Sequence, residues 1–149
     1  MKKLLLLFSA LAFMASCVEV STEEKVADAK PVTDGVFIHI SEGYNDPHRV
    51  LMPMKMATMM AKDKDVLIYM DIHAVELLVY GADNLQMEGF NSFLSYLMQL
   101  LDMGVGIYAC PTCMAVAGLD PNNLIEGVQL ANKEAFFNFT EGRILSLDY

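Results

Sequence analysis

Gly104-Val105-Gly106-Ile107-Tyr108-Ala109-Cys110-Pro111-Thr112-Cys113 is an apolar, β-prone run that ends abruptly in a Cys-x-x-Cys pair. A helix-compatible segment follows it. In an open α/β sheet, ligands and chemistry collect outside the carboxyl ends of the strands. A cysteine at such a point stands close to a helix N-terminus, where the dipole and the free N–H groups favour a thiolate. The thiolate is the nucleophilic form, so the stretch points both to a strand-to-helix fold and to sulfur chemistry.

Two similar runs precede it. Gly35-Val36-Phe37-Ile38-His39-Ile40-Ser41 and Asp65-Val66-Leu67-Ile68-Tyr69-Met70-Asp71 are short, apolar and rich in β-branched residues, as buried strands are. After the first, Glu42 to Asp46 supplies turn residues, and Asp46-Pro47 suits an N-cap and first helical position. The helix predicted there extends to about Lys62. Pro53 inside it predicts either a break in the first turns or a start nearer Met52. Ala74 to Val79 reads as a short strand or a loop extension. Phe90 to Met103 shows helical spacing of Phe93, Leu94, Leu97, Leu100 and Leu101, closed by Gly104.

Beyond the cysteines, Met114 to Gly118 allows a helical turn or two, and Asp120-Pro121 starts a short helix through Glu126. Val128 to Ala131 reads as a fourth strand, Asn132 to Thr140 as a helix and Ile144 to Leu147 as a last strand. Strands alternating with helices predict an α/β fold: a three-layer domain with a mostly parallel central sheet flanked by helices.

The first residues read as a targeting segment. Lys2 and Lys3 precede an uncharged apolar run from Leu4 to Ala15, too short to span a bilayer comfortably and of signal-peptide length. It closes on Met14-Ala15-Ser16-Cys17, which resembles a bacterial lipobox with Cys17 as the lipidated residue. Residues 1–16 are then a removable signal peptide, 17–34 a polar tether and 35–149 the folded domain. The expected location is the exported side of a membrane, periplasmic or at the cell surface, held by the lipid on Cys17. The other reading is an ordinary cleaved signal with Cys17 incidental.

Charge narrows the function classes. The whole chain carries a formal −9, and losing Lys2 and Lys3 with the signal moves it to −11. An acidic chain without a basic cluster argues against nucleic-acid partners, which need Lys and Arg to meet phosphates. The glycine patterns of a phosphate loop are missing, as are the Ser-x-x-Lys, Gly-x-Ser-x-Gly and His-Glu-x-x-His signatures. No cofactor is expected.

With these residues placed, the chain resembles the DsrE/DsrF-like family of sulfur-relay proteins. The resemblance covers most of Gly35 to Tyr149. It is carried by the first strand with its Gly/Asp turn and Ala/Met-rich helix (Ser41 to Ala61), and by the acid Asp71 ending the second strand. Gly104-Val105 leading into Cys110, and Gly118-Leu119 followed by Leu124-x-x-Gly127-Val128, complete it. It implies a small α/β domain with a parallel sheet, assembly as a trimer or hexamer, and sulfur carried as a persulfide on the strand-end cysteine, here Cys110. The partner it implies is a sulfur donor or acceptor, either a protein or a small sulfur compound.

Three readings of Cys110 and Cys113 remain: a persulfide carrier resolved by Cys113, a redox dithiol, or two inert cysteines. A structural zinc site is not expected, because a second close-spaced cysteine pair is missing. His48 and His73 fall in the turns after the first two strands, at the same predicted edge as Cys110, and either would lower a thiol pKa or orient a substrate. Tyr44 and Asn45 in the first turn are candidates to line the pocket. His39, alternating within a strand, reads as a satisfied core or interface residue. Met52, Met54, Met56, Met59 and Met60 crowd nine residues, which admits Cu(I) binding but fits a packing face on a helix. The functional alternatives are therefore a sulfur carrier, a non-catalytic oligomeric binding module of the same fold, and an exported Cu(I) protein.

Overall fold

The three apolar runs lie side by side in a five-stranded, all-parallel sheet of order β4-β3-β2-β1-β5. The computed structural model describes residues 32–149. The signal-like segment, Cys17 and the tether up to residue 31 lie outside the described residues. The strands are β1 (Gly35–Ile40), β2 (Asp65–Met70), β3 (Gly106–Ala109), β4 (Gln129–Leu130) and β5 (Ile144–Asp148). The helices are α1 (Pro47–Met60), α2 (Phe93–Asp102), α3 (Pro111–Val116) and α4 (Lys133–Asn138). None of the described helices is long and apolar enough to cross a membrane.

Alternation along the strands sorts side chains onto two unlike faces. Val36, Ile38, Ile40, Val66, Ile68, Met70, Ile107 and Ala109 form one face, and every one of them is buried. They form one core with Val50, Leu51, Met54 and Ala57 of α1 and with Phe93, Tyr96, Leu97 and Leu100 of α2. At about 1.5–3 kcal/mol for each large side chain buried, this layer supplies the main drive to fold. The other face carries Phe37, His39, Tyr69 and Tyr108, which are only half-buried. Phe136 of α4 packs edge-on against Phe37, Tyr69 and Tyr108, with centroids 5.3, 5.1 and 6.4 Å apart.

Connectivity explains the asymmetry. The steps β1 to β2 and β2 to β3 move in one direction, so right-handed crossovers put α1 and α2 on the same side. The step β4 to β5 runs back past β3, β2 and β1, which brings α4 across the opposite face. That helix has six residues, so the second face stays partly open.

Several local expectations are corrected. Ala74 to Val79 is neither strand nor simple loop: Ala74–Leu78 is a 3-10 helix that buries Ala74, Val75, Leu77 and Leu78. The segment from Asp120 makes one 3-10 turn, Pro121–Asn123, because Leu124 leaves to bridge Val79 and the Ile125 N–H donates to the Leu78 carbonyl. Helix α1 runs unbroken from Pro47. The Asp46 side chain accepts the Arg49 N–H at 3.2 Å, and the buried ring of Pro53 forgoes one intrahelical bond without ending the helix. The core face of α1 is Val50, Leu51, Met54 and Ala57, while Met52 and Met59 are exposed, so the methionine run is not a single buried stripe. Thr33 and Asp34, read as the end of the tether, are bound to the domain. The Thr140 hydroxyl donates to the Thr33 carbonyl at 2.7 Å, and Arg143 pairs with Asp34 at 2.6 Å.

Candidate functional site

The carboxyl ends of β1, β2 and β3 are laced together by backbone bonds beyond the strands. The Cys110 N–H donates to the Met70 carbonyl at 2.9 Å, Asp71 N–H to Ile40 at 3.1 Å and His73 N–H to Ser41 at 3.1 Å. This edge therefore holds the first residues of all three loops in fixed register. Gly43 is required in the first loop: a Cβ there would lie 2.7 Å from the His73 carbonyl oxygen.

Cys110 caps α3. Its sulfur accepts the Cys113 N–H at 3.3 Å, and Pro111 at the next position needs no acceptor. Both cysteines are free thiols, Cys110 buried and Cys113 partly exposed. Burial pushes the Cys110 thiol up, but hydrogen bonding from the Cys113 side chain, the Tyr69 hydroxyl and the backbone N–H groups of Cys113 and Thr112 outweighs it. The net pKa lies below the ordinary thiol value. Cys113 moves the other way, raised first by its side-chain bond to Cys110 and then by burial. The pair thus divides into a thiolate-favoured Cys110 and a proton-holding Cys113. Burial and its hydrogen bond to Cys110 raise the Tyr69 phenol strongly, so it stays a donor at neutral pH.

Ile72 adjoins the pair in the left-handed region, at φ 46°, which is strained for a β-branched residue. Its backbone lowers the Cys113 thiol, against the larger raising effects of Cys110 and burial. The cavity beside Cys113, about 310 Å³, is lined by Ile72, His73, Glu76, Thr112, Val116 and Ala117 together with Cys113.

On the open face of the sheet, across Tyr69 of β2 from the cysteines, His39 stands between two acids. Its Nε2 is 2.9 Å from Asp71 Oδ1 and its Nδ1 is 2.7 Å from Asp148 Oδ1. The His39 ring stacks on Tyr69, with centroids 5.4 Å apart and planes 24° from parallel. The two nitrogens face opposite carboxylates, so these groups do not converge on one ion. Among the described residues, no cluster of three or more His, Cys, Asp or Glu side chains is arranged to hold a metal.

Of the residues singled out from the sequence, the structure brings together Cys110, Cys113 and His73. His73 also approaches Glu76, at 3.7 Å. His48 lies in α1 and packs edge-on against Phe90 at 5.6 Å. The Tyr44 hydroxyl donates to the Asp83 carbonyl at 2.8 Å, and Asn45 bonds within its own turn to Glu42 and to the Gly43 N–H. None of these three lines the cavity at Cys113. Tyr69, Ile72 and the role of His39 escaped the sequence reading. Alternation supplies the missing signal: Tyr69 and Asp71 share a face, Tyr69 pairs with Tyr108, and Cys110 continues that face.

Comparison with known proteins agrees with this architecture. The model of the DsrE/DsrF-like family matches residues 34–141. Among solved structures, the YchN protein of E. coli superposes with a TM-score of 0.62 at 19% identity, covering 77% of this chain and 100% of its own. MTH1491 of Methanobacterium thermoautotrophicum, a protein of unknown function, superposes with a TM-score of 0.53 at 20% identity, covering 76% and 98%. At these identities the likeness concerns the fold. No curated protein matches the sequence.

Proposed function

The chain belongs to the DsrE/DsrF-like family, and from that premise we propose that it carries or exchanges sulfane sulfur on Cys110, with Cys113 as the resolving thiol. The observation that carries this reading is the placement of the pair: Cys110 ends β3 and caps α3, its sulfur accepting the Cys113 N–H at 3.3 Å, an arrangement that lowers the Cys110 thiol and raises Cys113.

The Cys110 thiolate attacks the outer sulfur of a donor R–S–SH. A Cys110–S–SH bond forms, the donor S–S bond breaks, and RS⁻ leaves with the bonding pair. Passing that sulfur to an acceptor thiolate reverses the same exchange. Alternatively, Cys113 attacks the inner sulfur of the Cys110 persulfide anion. That step gives a Cys110–Cys113 disulfide and HS⁻, with two thiols oxidised as the sulfane sulfur is reduced to sulfide. An external thiol must then restore the pair.

Export and lipid anchoring through Cys17, and assembly as a homo-oligomer, belong to the same proposal. They rest on the signal-like N-terminus and the family resemblance. A non-catalytic binding module is favoured by one observation, the 9% exposure of Cys110.

Intact mass of the purified protein, before and after a polysulfide donor and with and without reductant, separates these readings. A reversible gain of about 32 Da mapped to Cys110 and lost in Cys110→Ser is expected. Loss of two hydrogens without a sulfur adduct means a redox or structural disulfide. Thiols inert until unfolding mean a binding module.

A further inference from the structure

The charges around the Cys113 cavity constrain what reaches the sulfurs. Its rim is apolar: Ile72 and Val116 are 54% and 86% exposed there. Its only titratable side chains besides Cys113 are His73 and Glu76, which approach each other at 3.7 Å. Behind the cavity, Asp71 is close enough to act on Cys113 electrostatically. Asp71 faces Nε2 of His39 at 2.9 Å, and the other nitrogen of that ring faces Asp148 at 2.7 Å. Three carboxylates thus stand against two histidines at this part of the sheet edge. Arg49 and Lys133 flank the same edge, but they pair with Glu42 at 3.8 Å and Glu134 at 3.7 Å and do not line the cavity.

We infer that this cavity is the substrate entrance to the cysteine pair, and that it selects an organic sulfane whose carbon skeleton bears no charge, such as an alkyl persulfide reacting as R–S–SH, against sulfur compounds that carry two further negative charges. This rests on the sulfur chemistry proposed for Cys110 and names its substrate class. A dianion entering this recess meets Glu76 and Asp71 with no lysine or arginine to receive it, which costs Coulomb energy and slows encounter. An alkyl or benzyl group finds Ile72, Val116 and Ala117, and its burial there is favourable. The transfer itself is the exchange given above: the sulfane sulfur moves to Cys110 and RS⁻ departs through the cavity.

The test compares two persulfides that differ by two carboxylates on the carbon skeleton, benzyl persulfide and the persulfide of mercaptosuccinate, each reacting as R–S–SH. Loading of Cys110 in the full chain is followed by peptide mass, and each rate is divided by that for the urea-unfolded chain to cancel intrinsic reactivity. The neutral donor should be favoured about tenfold, the factor that 1.4 kcal/mol of charge repulsion produces. Glu76→Lys should narrow the ratio by speeding the dianion. Equal or faster loading by the dianion, or a ratio insensitive to Glu76→Lys, overturns the inference. Iodoacetamide against iodoacetate, normalised in the same way, reads the same selectivity without sulfane chemistry. If neither persulfide loads Cys110 but iodoacetamide is still preferred, the carrier reading fails and the charge selection of the cavity stands. If iodoacetate reacts as well as iodoacetamide, the charge selection fails on its own.

Discussion

Nε2 of His39 lies 2.9 Å from Oδ1 of Asp71, and neither atom touches solvent or completes a well-aligned hydrogen bond. Asp148 holds the opposite nitrogen of the ring at 2.7 Å. The contact joins the ends of β1 and β2, and through Asp148 the end of β5, directly beside the ring of Tyr69.

Removing the imidazole should therefore strand a carboxylate. His39→Leu leaves Asp71 partly buried and unpaired, at a cost of roughly 1–3 kcal/mol in unfolding free energy. Asp71→Asn in that background should recover part of the loss. Urea denaturation midpoints check both, and a His39→Leu protein as stable as the wild type would refute the pairing.

Tyr69→Phe removes a hydroxyl that stabilises the Cys110 thiolate while keeping the ring that packs on Phe136. A hydrogen bond to a charged group is worth about 1.5–3 kcal/mol, so Cys110 alkylation near neutral pH should slow by about tenfold or more. The fold should persist, as circular dichroism would show. Unchanged alkylation would mean that Tyr69 packs without donating.

The two thiols predict opposite pH dependence. Cys110 is depressed, so its contribution to stability is present above the unfolded thiol pKa and is lost as pH falls through the folded value. Cys113 is raised, so its contribution is present below the unfolded value and is lost as pH rises through the folded one. In Cys113→Ser the raised thiol is gone and the serine hydroxyl takes over as side-chain donor to Cys110, so the first effect remains. Under reducing conditions its stability should climb with pH up to the ordinary thiol value of about 8.5 and then level off. The double variant Cys110→Ala, Cys113→Ser should show no such climb. A flat profile in Cys113→Ser would count against thiolate stabilisation.

The strands and the parallel sheet were legible because Val36 to Ile40, Val66 to Met70 and Ile107 to Ala109 bury one continuous apolar face. The strand-end position of Cys110 followed from the same pattern. The short 3-10 segments were not legible, since Ala74 to Leu78 has apolar residues that suit a strand equally well. Nor was the setting of the site. His39, Tyr69, Asp71 and Asp148 come together only when β2, β1 and β5 are known to be neighbours, and sequence periodicity gives the face of a residue without giving strand order. His48 illustrates the converse: its sequence position points to the edge, but its ring is taken up by Phe90.

The loop after β1 offers a last and sharper test of how the edge is assembled. Gly43 and His73 belong to different loops, yet a Cβ on residue 43 would stand 2.7 Å from the His73 carbonyl carbon's oxygen and 3.3 Å from its Cβ. Backbone cannot yield as a flexible side chain can, so Gly43→Ala must push the first loop off the second. Overpacking of this kind costs typically about 1–3 kcal/mol. Because His73 lines the cavity beside Cys113, the displacement should also change the alkylation rate of Cys113, whereas Gly81→Ala, placed where no atom lies within 4 Å of the added carbon, should leave that rate unaltered. The strain of φ 87° at Gly81 makes the second variant a control for lost stability alone. Thermal midpoints and Cys113 labelling measured together decide it: equal labelling in both variants would show that the contact between the two loops does not set the geometry at Cys113.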